Sequence, residues 1–400
     1  MDERVKIECA EHLAKLPPYL FSAINILKQQ AYEKKLDVID LGMGNPDLPT
    51  PKHIVERLCE TVREHPKTHR YPQAKGMPKL RKAICEWMKK RFGVELNYEN
   101  EVLVLIGSKE GVAHTMMTYL NPGDIAIITN PCYPVYFNSV ILAKGEIYEL
   151  PLLEKNNYLP DFTKIPNHIL KRAKILALNY PNNPTTAVVE DLYFFKEAVK
   201  FAKKYNLILC NDNAYCEITF DGYVAPSLLQ VEDAKDISIE FYSFSKTYNM
   251  AGWRIGFMVG NSDIIRYVEK FKSFIDYGVF TAIQLAAVLA LSSEQSCVKE
   301  IVETYRRRRD KFVDGLNRLG WAVKKPKATF YLWAPLPEPY KHLGSLQFAE
   351  LLLEKTGIVV APGVGFGSYG EGYVRMALVT HDNRFHDALL RLKKFLKKEI

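Results

Sequence analysis

No run in this sequence approaches the ~18 consecutive apolar residues of a membrane-spanning helix. Its charged start, Met1-Asp2-Glu3-Arg4-Val5-Lys6, is not followed by the apolar core of a secretory signal. These two absences lead us to expect a cytoplasmic chain with no membrane partner. Cys-x-x-Cys is also missing. The seven cysteines (Cys9, Cys59, Cys85, Cys132, Cys210, Cys216 and Cys297) are odd in number and scattered, so a reduced protein without a zinc or other metal site is expected. Neither Gly-x-Gly-x-x-Gly nor a Walker loop is present, which disfavours nicotinamide and ATP. Patterns of RRM, KH and helix-turn-helix modules are lacking, so nucleic acid is not an expected partner. The net charge of +8 is modest for 400 residues and suits anionic substrates. The run Arg306-Arg307-Arg308-Arg309 and the pairs Lys393-Lys394 and Lys397-Lys398 then read as solvated helix faces. Internal repeats and low-complexity linkers are absent as well.

What is present is a chain that is 48% hydrophobic, enough for a large core and two domains. Residues 1–35 read as an arm, extended at Leu16-Pro17-Pro18-Tyr19-Leu20-Phe21 by its prolines. Short apolar runs then alternate with helical spacing. Strands are expected at 38–41, 102–106, 125–128, 174–178 and 207–211, with helices at 51–63, 78–91, 108–120 and 189–205. This rhythm argues for a mainly parallel sheet covered on both faces, with ligand loops at the carboxyl ends of its strands. A long helical region from about 263 to 319 leads to a smaller α+β part, with strands near 322–323, 329–333, 358–360 and 373–378 and a last helix at 382–398. We divide the chain into 1–50 (arm and part of the small domain), 51–290 (large domain) and 291–400 (small C-terminal domain).

The chemistry centres on Ser243-Phe244-Ser245-Lys246-Thr247-Tyr248-Asn249-Met250-Ala251-Gly252-Trp253-Arg254. The spacing puts Lys246 on a turn between strands 237–242 and 254–260, where a scaffold holds it rigidly. Desolvation there favours a neutral amine that can form a Schiff base with an aldehyde. The hydroxyls of Ser243 and Ser245 and the Arg254 fork suit a phosphate beside that aldehyde. Together they suggest pyridoxal phosphate, although an ordinary loop with one Lys and one Arg accounts for this stretch alone equally well. Gly107-Ser108-Lys109-Glu110-Gly111, between a buried strand and a helix start, has the layout of an anion site.

With Asn183-Pro184-Thr185 and Asp212-Asn213-Ala214-Tyr215 added in this order, the chain resembles a fold-type I pyridoxal-phosphate aminotransferase of class I/II. The likeness runs from the Leu16-Pro17-Pro18-Tyr19 arm to Val374-Arg375. It is strongest to the bacterial alanine aminotransferase and LL-diaminopimelate aminotransferase group, through 107–111 and 248–254. The resemblance implies the following roles. Lys246 would hold pyridoxal 5′-phosphate as an imine and then shuttle a proton. Asp212 would pair with the pyridine nitrogen. Tyr215 and Asn183 would bond the phenolic oxygen, and Tyr133 would stack on the ring. Ser108 and Lys109 backbone N–H groups, with Ser243, Ser245 and Arg254, would cup the phosphate. Tyr71 would reach the phosphate of a neighbouring subunit, which makes a homodimer with shared sites. Arg375 would grip the substrate α-carboxylate, helped by the Gly44 N–H, and both would move in domain closure. Tyr19 and Tyr277 are candidates for selecting the substrate side chain. The family's usual Asn-Pro-Thr-Gly reads Asn183-Pro184-Thr185-Thr186 here, as in the subgroup.

The expected reaction is transfer of an amino group from an L-amino acid to a 2-oxo acid. Alanine with 2-oxoglutarate comes first, LL-diaminopimelate second and aspartate third. The rivals are a lyase or synthase built on the same Lys, Asp and Arg, and a cofactor-sensing regulator. The regulator is disfavoured because the chain has no room for a DNA-binding domain ahead of residue 35.

Overall fold

The computed structural model describes residues 7–17 and 20–397. Its twelve strands are β1 (Ile39–Asp40), β2 (Val102–Leu105), β3 (Ile125–Asn130), β4 (Glu146–Pro151), β5 (Ala173–Asn179), β6 (Ile208–Asp212), β7 (Ser238–Ser243), β8 (Gly256–Gly260), β9 (Tyr331–Pro335), β10 (Ile358–Val359), β11 (Ala361–Pro362) and β12 (Tyr373–Ala377). Seven form one sheet in the order β2-β8-β7-β6-β5-β3-β4. Pairing is parallel from β7 to β4, and β8 runs antiparallel to both of its neighbours. Three strands make an antiparallel sheet, β11-β12-β9, and β1 pairs with β10.

The apolar runs explain the large sheet. Val102, Val104, Leu176, Leu178, Leu209 and Phe257 pack into one core, and their strand neighbours Leu103, Leu105, Ile175, Ala177, Cys210 and Met258 into another. A period of two that is apolar on both faces requires helices on both faces. Helix Tyr193–Tyr205 supplies one such cover, burying Phe195, Ala198, Val199 and Ala202 at helical spacing before Asn206 ends it at φ 53°. A separate core gathers around the small sheet. Helix Ser296–Arg318 spans the two, with Val298 in the large-sheet core and Ile301, Tyr305, Phe312 and Leu316 in the small one.

Several expectations need correction. Lys246 sits in a short helix, Phe244–Thr247, because the Ser243 hydroxyl accepts the Ser245 N–H and caps it. Arg254 precedes β8 in a left-handed turn at φ 52° instead of opening the strand. The arm is helical from Leu20 to Glu33, a stretch free of proline and glycine. The helix placed at 189–205 begins at Tyr193. The long helical region is three helices, Ser262–Ile275, Thr281–Ser292 and Ser296–Arg318, broken first where Tyr277 takes φ 63°. No strand forms at 322–323, while β4, an edge strand interrupted by Glu146 and Glu149, was not anticipated. The four-arginine run is not a solvated face. Arg308 and Arg309 are buried, paired with Asp47 and Asp382 and with Asp221 and Asp310 respectively.

Candidate active site

Asn179, Asp212 and Ser243 are the last residues of β5, β6 and β7. They open into one cavity of about 200 Å³ at the carboxyl edge of the large sheet. The walls bring together Gly44, Ser108, Lys109, Tyr133, Asn183, Asp212, Tyr215, Ser243, Ser245, Lys246, Arg254 and Arg375. Residues as far apart in the chain as Gly44 and Arg375 thus meet in one volume.

Lys246 Nζ donates to the Gly44 carbonyl at 3.0 Å. Burial pulls its amine below the ordinary lysine range, with Arg375 and Arg254 adding to that pull and Tyr331 and Asp212 opposing it. Asp212 is buried, and burial pushes its carboxyl up to about 6 against the hydrogen bonds from Tyr136 and the Ala214 N–H and the charge of Lys246. Its Oδ2 accepts from Tyr136 Oη at 3.1 Å, while Oδ1 has no hydrogen-bond partner among the described residues. A buried carboxylate oxygen left this way on a cavity wall suits a cationic N–H donor.

On the opposite wall, buried Arg375 donates from Nη1 to Asn183 Oδ1 at 2.7 Å and from Nη2 to the Gly42 carbonyl at 3.0 Å. Its guanidinium lies between the rings of Tyr331 and Phe366, with Cζ 4.1 and 4.6 Å from their centroids. Asn183 is itself fixed by its N–H to Asn179 Oδ1 at 2.9 Å, and Asn179 Nδ2 donates to the Asp212 carbonyl at 2.7 Å. The substrate side and the ring side therefore share one hydrogen-bonded chain.

The third wall is built for an anion. Helix Ser108–Tyr119 presents its N-terminus there, after Gly107 at φ +79°. A Cβ at 107 would meet Arg254 Nη2 at 2.5 Å, so only glycine lets the guanidinium lie beside that N-terminus. Behind it, Glu110 accepts the Ile106 N–H and takes Lys272 Nζ at 2.7 Å. Lys272, fully buried, also reaches Asp276 at 2.9 Å, and His114 faces both carboxylates. This ionic cluster, spent on its own members, pins the start of the helix.

Tyr71 does not line the cavity; it is 94% exposed and meets Tyr277 edge-on at 6.3 Å. Tyr19 lies outside the described residues. Sequence reasoning missed Tyr331 and Asn179, which line the cavity, and Tyr136, which supports Asp212 from behind. In the chain each reads as an ordinary strand or helix residue. The only signal was position, since Asn179 ends an apolar strand and Tyr136 follows the Tyr133 loop by one helical turn.

A family model described as aminotransferase class I and II matches residues 36–391. The LL-diaminopimelate aminotransferase of Moorella thermoacetica is 48% identical over 389 residues, 97% of this chain and 98% of that protein. The glutamate–pyruvate aminotransferase of Escherichia coli is 44% identical over 385 residues, 96% of this chain and 93% of that one. Among solved structures, substrate-bound BacF from Bacillus subtilis superposes with a TM-score of 0.93 at 41% identity, covering 98% of both chains. A Thermus thermophilus aspartate aminotransferase mutant gives 0.90 at 27% identity, covering 97% of this chain and 100% of that one.

Proposed function

The chain belongs to the class I and II aminotransferases, and from that premise we propose that its amino donor is LL-diaminopimelate and its acceptor a 2-oxo acid. The donor assignment rests on relatives named for that reaction at 48–49% identity across 97–98% of this chain. It reverses the order expected from sequence, where alanine came first. Alanine with 2-oxoglutarate is the second reading, favoured by the Escherichia coli relative.

The chemistry is carried by one observation: Lys246, Asp212 and Arg375 converge on a single cavity with an anion-binding wall beside them. Pyridoxal 5′-phosphate, the cofactor of this family, supplies an aldehyde for imine formation and a ring that delocalises the electron pair left on the substrate Cα. The residues present fit it, since Asp212 Oδ1 is a buried acceptor lacking a donor and the Gly107 backbone clears space for Arg254 beside a helix N-terminus. Ser108, Lys109, Ser243, Ser245 and Arg254 would hold the phosphate. Asp212 would keep the proton on the ring nitrogen. Tyr215 and Asn183 would donate to the phenolic oxygen, and Tyr133 would stack on the ring. Lys246 Nζ, whose amine burial pulls below the ordinary lysine range, would supply the nucleophilic amine and then carry the proton at the substrate Cα. The Arg375 fork exchanges Asn183 and Gly42 for the substrate carboxylate, with the Gly44 N–H beside it.

We place the enzyme in the cytoplasm as a homodimer. All seven cysteines are free, and among the described residues no helix is long and apolar enough to cross a membrane. Exposed Tyr71 and Tyr277 form one patch, from which Tyr71 reaches the partner's phosphate. Domain boundaries near 50 and 290 leave helix Ser296–Arg318 to carry the chain from the large core to the small one. A half-reaction scan tests the donor. The holoenzyme is mixed separately with LL-diaminopimelate, alanine, aspartate and glutamate, and loss of the visible cofactor band is followed. Conversion by LL-diaminopimelate and glutamate is expected. Conversion by alanine with none by LL-diaminopimelate would transfer the assignment to the second reading.

A further inference from the structure

Tyr331, the first residue of β9, is buried at the meeting point of four groups assigned above. Its hydroxyl is 3.1 Å from that of Tyr215. Its ring lies under the Arg375 guanidinium at 4.1 Å. A Cβ at position 44 would overlap its hydroxyl, so Gly44 has no side chain where Tyr331 Oη now sits. The charges facing the phenol are those of Arg375 and Lys246, and Tyr215 is its hydrogen-bond partner.

A hydroxyl has one proton to give and two lone pairs to receive with. Tyr215 cannot donate at once to Tyr331 and to the phenolic oxygen of the cofactor. Resting on the cofactor assignment proposed above, we propose that Tyr331 is a further positioning residue: its hydroxyl donates to Tyr215 so that Tyr215 is free to donate onward, while its ring holds Arg375. One side chain thereby joins the carboxylate grip to the hydrogen bond under the cofactor's phenolic oxygen.

The electrostatics give this link a direction. Burial works to raise the Tyr331 phenol, yet the Arg375 and Lys246 cations and the hydrogen bond shared with Tyr215 bring it below the ordinary tyrosine range. Burial, the nearby Tyr331 and the hydrogen bond they share hold Tyr215 well above that range. A carboxylate bound to Arg375 cancels one of the two cations. The Tyr331 phenol then rises again, and the donor chain Tyr331 to Tyr215 to the phenolic oxygen changes in strength with it, since bonds in a row polarise one another. Occupancy of the carboxylate site is thus felt at the far side of the cofactor without any backbone movement.

The test separates ring from hydroxyl. The pH midpoint of the visible cofactor band is measured in the holoenzyme with and without saturating succinate, a carboxylate that has no amino group to react. In Tyr331→Phe the band persists, its midpoint moves by about half a pH unit or more, and the response to succinate falls by about half or more. Tyr215→Phe/Tyr331→Phe moves no further than Tyr215→Phe alone, because the two hydroxyls act as one chain. Tyr331→Leu, which removes the ring, weakens succinate binding about tenfold, while Tyr331→Phe leaves it within about twofold. A Tyr331→Phe holoenzyme that titrates and responds like the parent overturns the proposal and leaves the cofactor assignment standing. A parent protein that takes up no band with added cofactor overturns the assignment itself. A 3-fluorotyrosine at 331 reads the link with the hydroxyl kept. Its fluorine resonance is expected to move on adding succinate, and a resonance that stays in place counts against the proposal.

Discussion

At Asp212 stability and function pull in opposite directions. The folded, cofactor-free chain holds this proton up to about pH 6, while an unfolded aspartate releases it near 3.8. Stability therefore falls as pH rises between those values and stays lower above them, by an amount on the order of 3 kcal/mol for the full gap. Asp212→Asn removes the titration. We expect the cofactor-free variant to resist urea better than the cofactor-free parent at pH 8, with the advantage gone by pH 4, and to retain cofactor poorly. Equal urea midpoints at pH 8 would show that burial does not strain this carboxyl. The residue was singled out in the sequence through the family resemblance that Asp212-Asn213-Ala214-Tyr215 carries, since an aspartate at a strand end is by itself an ordinary turn or helix cap. Tyr331 and Tyr136 were not, because an aromatic in a strand or helix looks like core until its neighbours across the fold are known.

Among elements, helix Ser296–Arg318 shows how a charge run misleads. Arg308 forks onto both Asp47 oxygens at 2.8 and 2.9 Å and bonds Asp382 at 2.7 Å, partners 261 and 74 positions away. No local pattern announces such pairs, and a buried guanidinium with two carboxylates is indistinguishable in sequence from an exposed one. Asp47 lies on the same loop as Gly44, so this ion pair also helps to set the wall that faces Lys246. Arg308→Ala leaves Asp47 part-buried and uncompensated. It should cost about 3–5 kcal/mol by chemical denaturation and raise the KM for the amino donor. A loss under about 1 kcal/mol would mean that solvent satisfies Asp47 unaided. The central strands were readable because apolar residues fill both faces, whereas the edge strand β4 is broken up by Glu146 and Glu149 and gave no such run.

For the whole molecule, the proposed dimer makes Tyr71 the residue to watch. Tyr71, Phe274, Ile275 and Tyr277 are 94%, 81%, 65% and 46% exposed, an apolar group of the kind that marks an interface. Tyr71→Phe keeps the ring and loses the hydroxyl. We expect unchanged sedimentation at twice the chain mass and cofactor affinity about tenfold weaker, the worth of one hydrogen bond to a charged group. Undiminished affinity would remove Tyr71 from the partner's phosphate cup. The same scale explains what the sequence could not reveal about the donor. The residues proposed to hold the phosphate and ring stand at the edge of the large sheet and on its helix, whereas Arg375 and Tyr331 stand on β12 and β9 of the small one. Two separately folded surfaces face each other across the reacting atom, so mutation can reshape one while the other keeps its chemistry. Such a division makes the frame easy to redirect: lineages that share nearly half of their residues can inherit one reaction and diverge in diet, and an engineer seeking a new donor has the small-sheet wall to vary with the cofactor's seat left untouched.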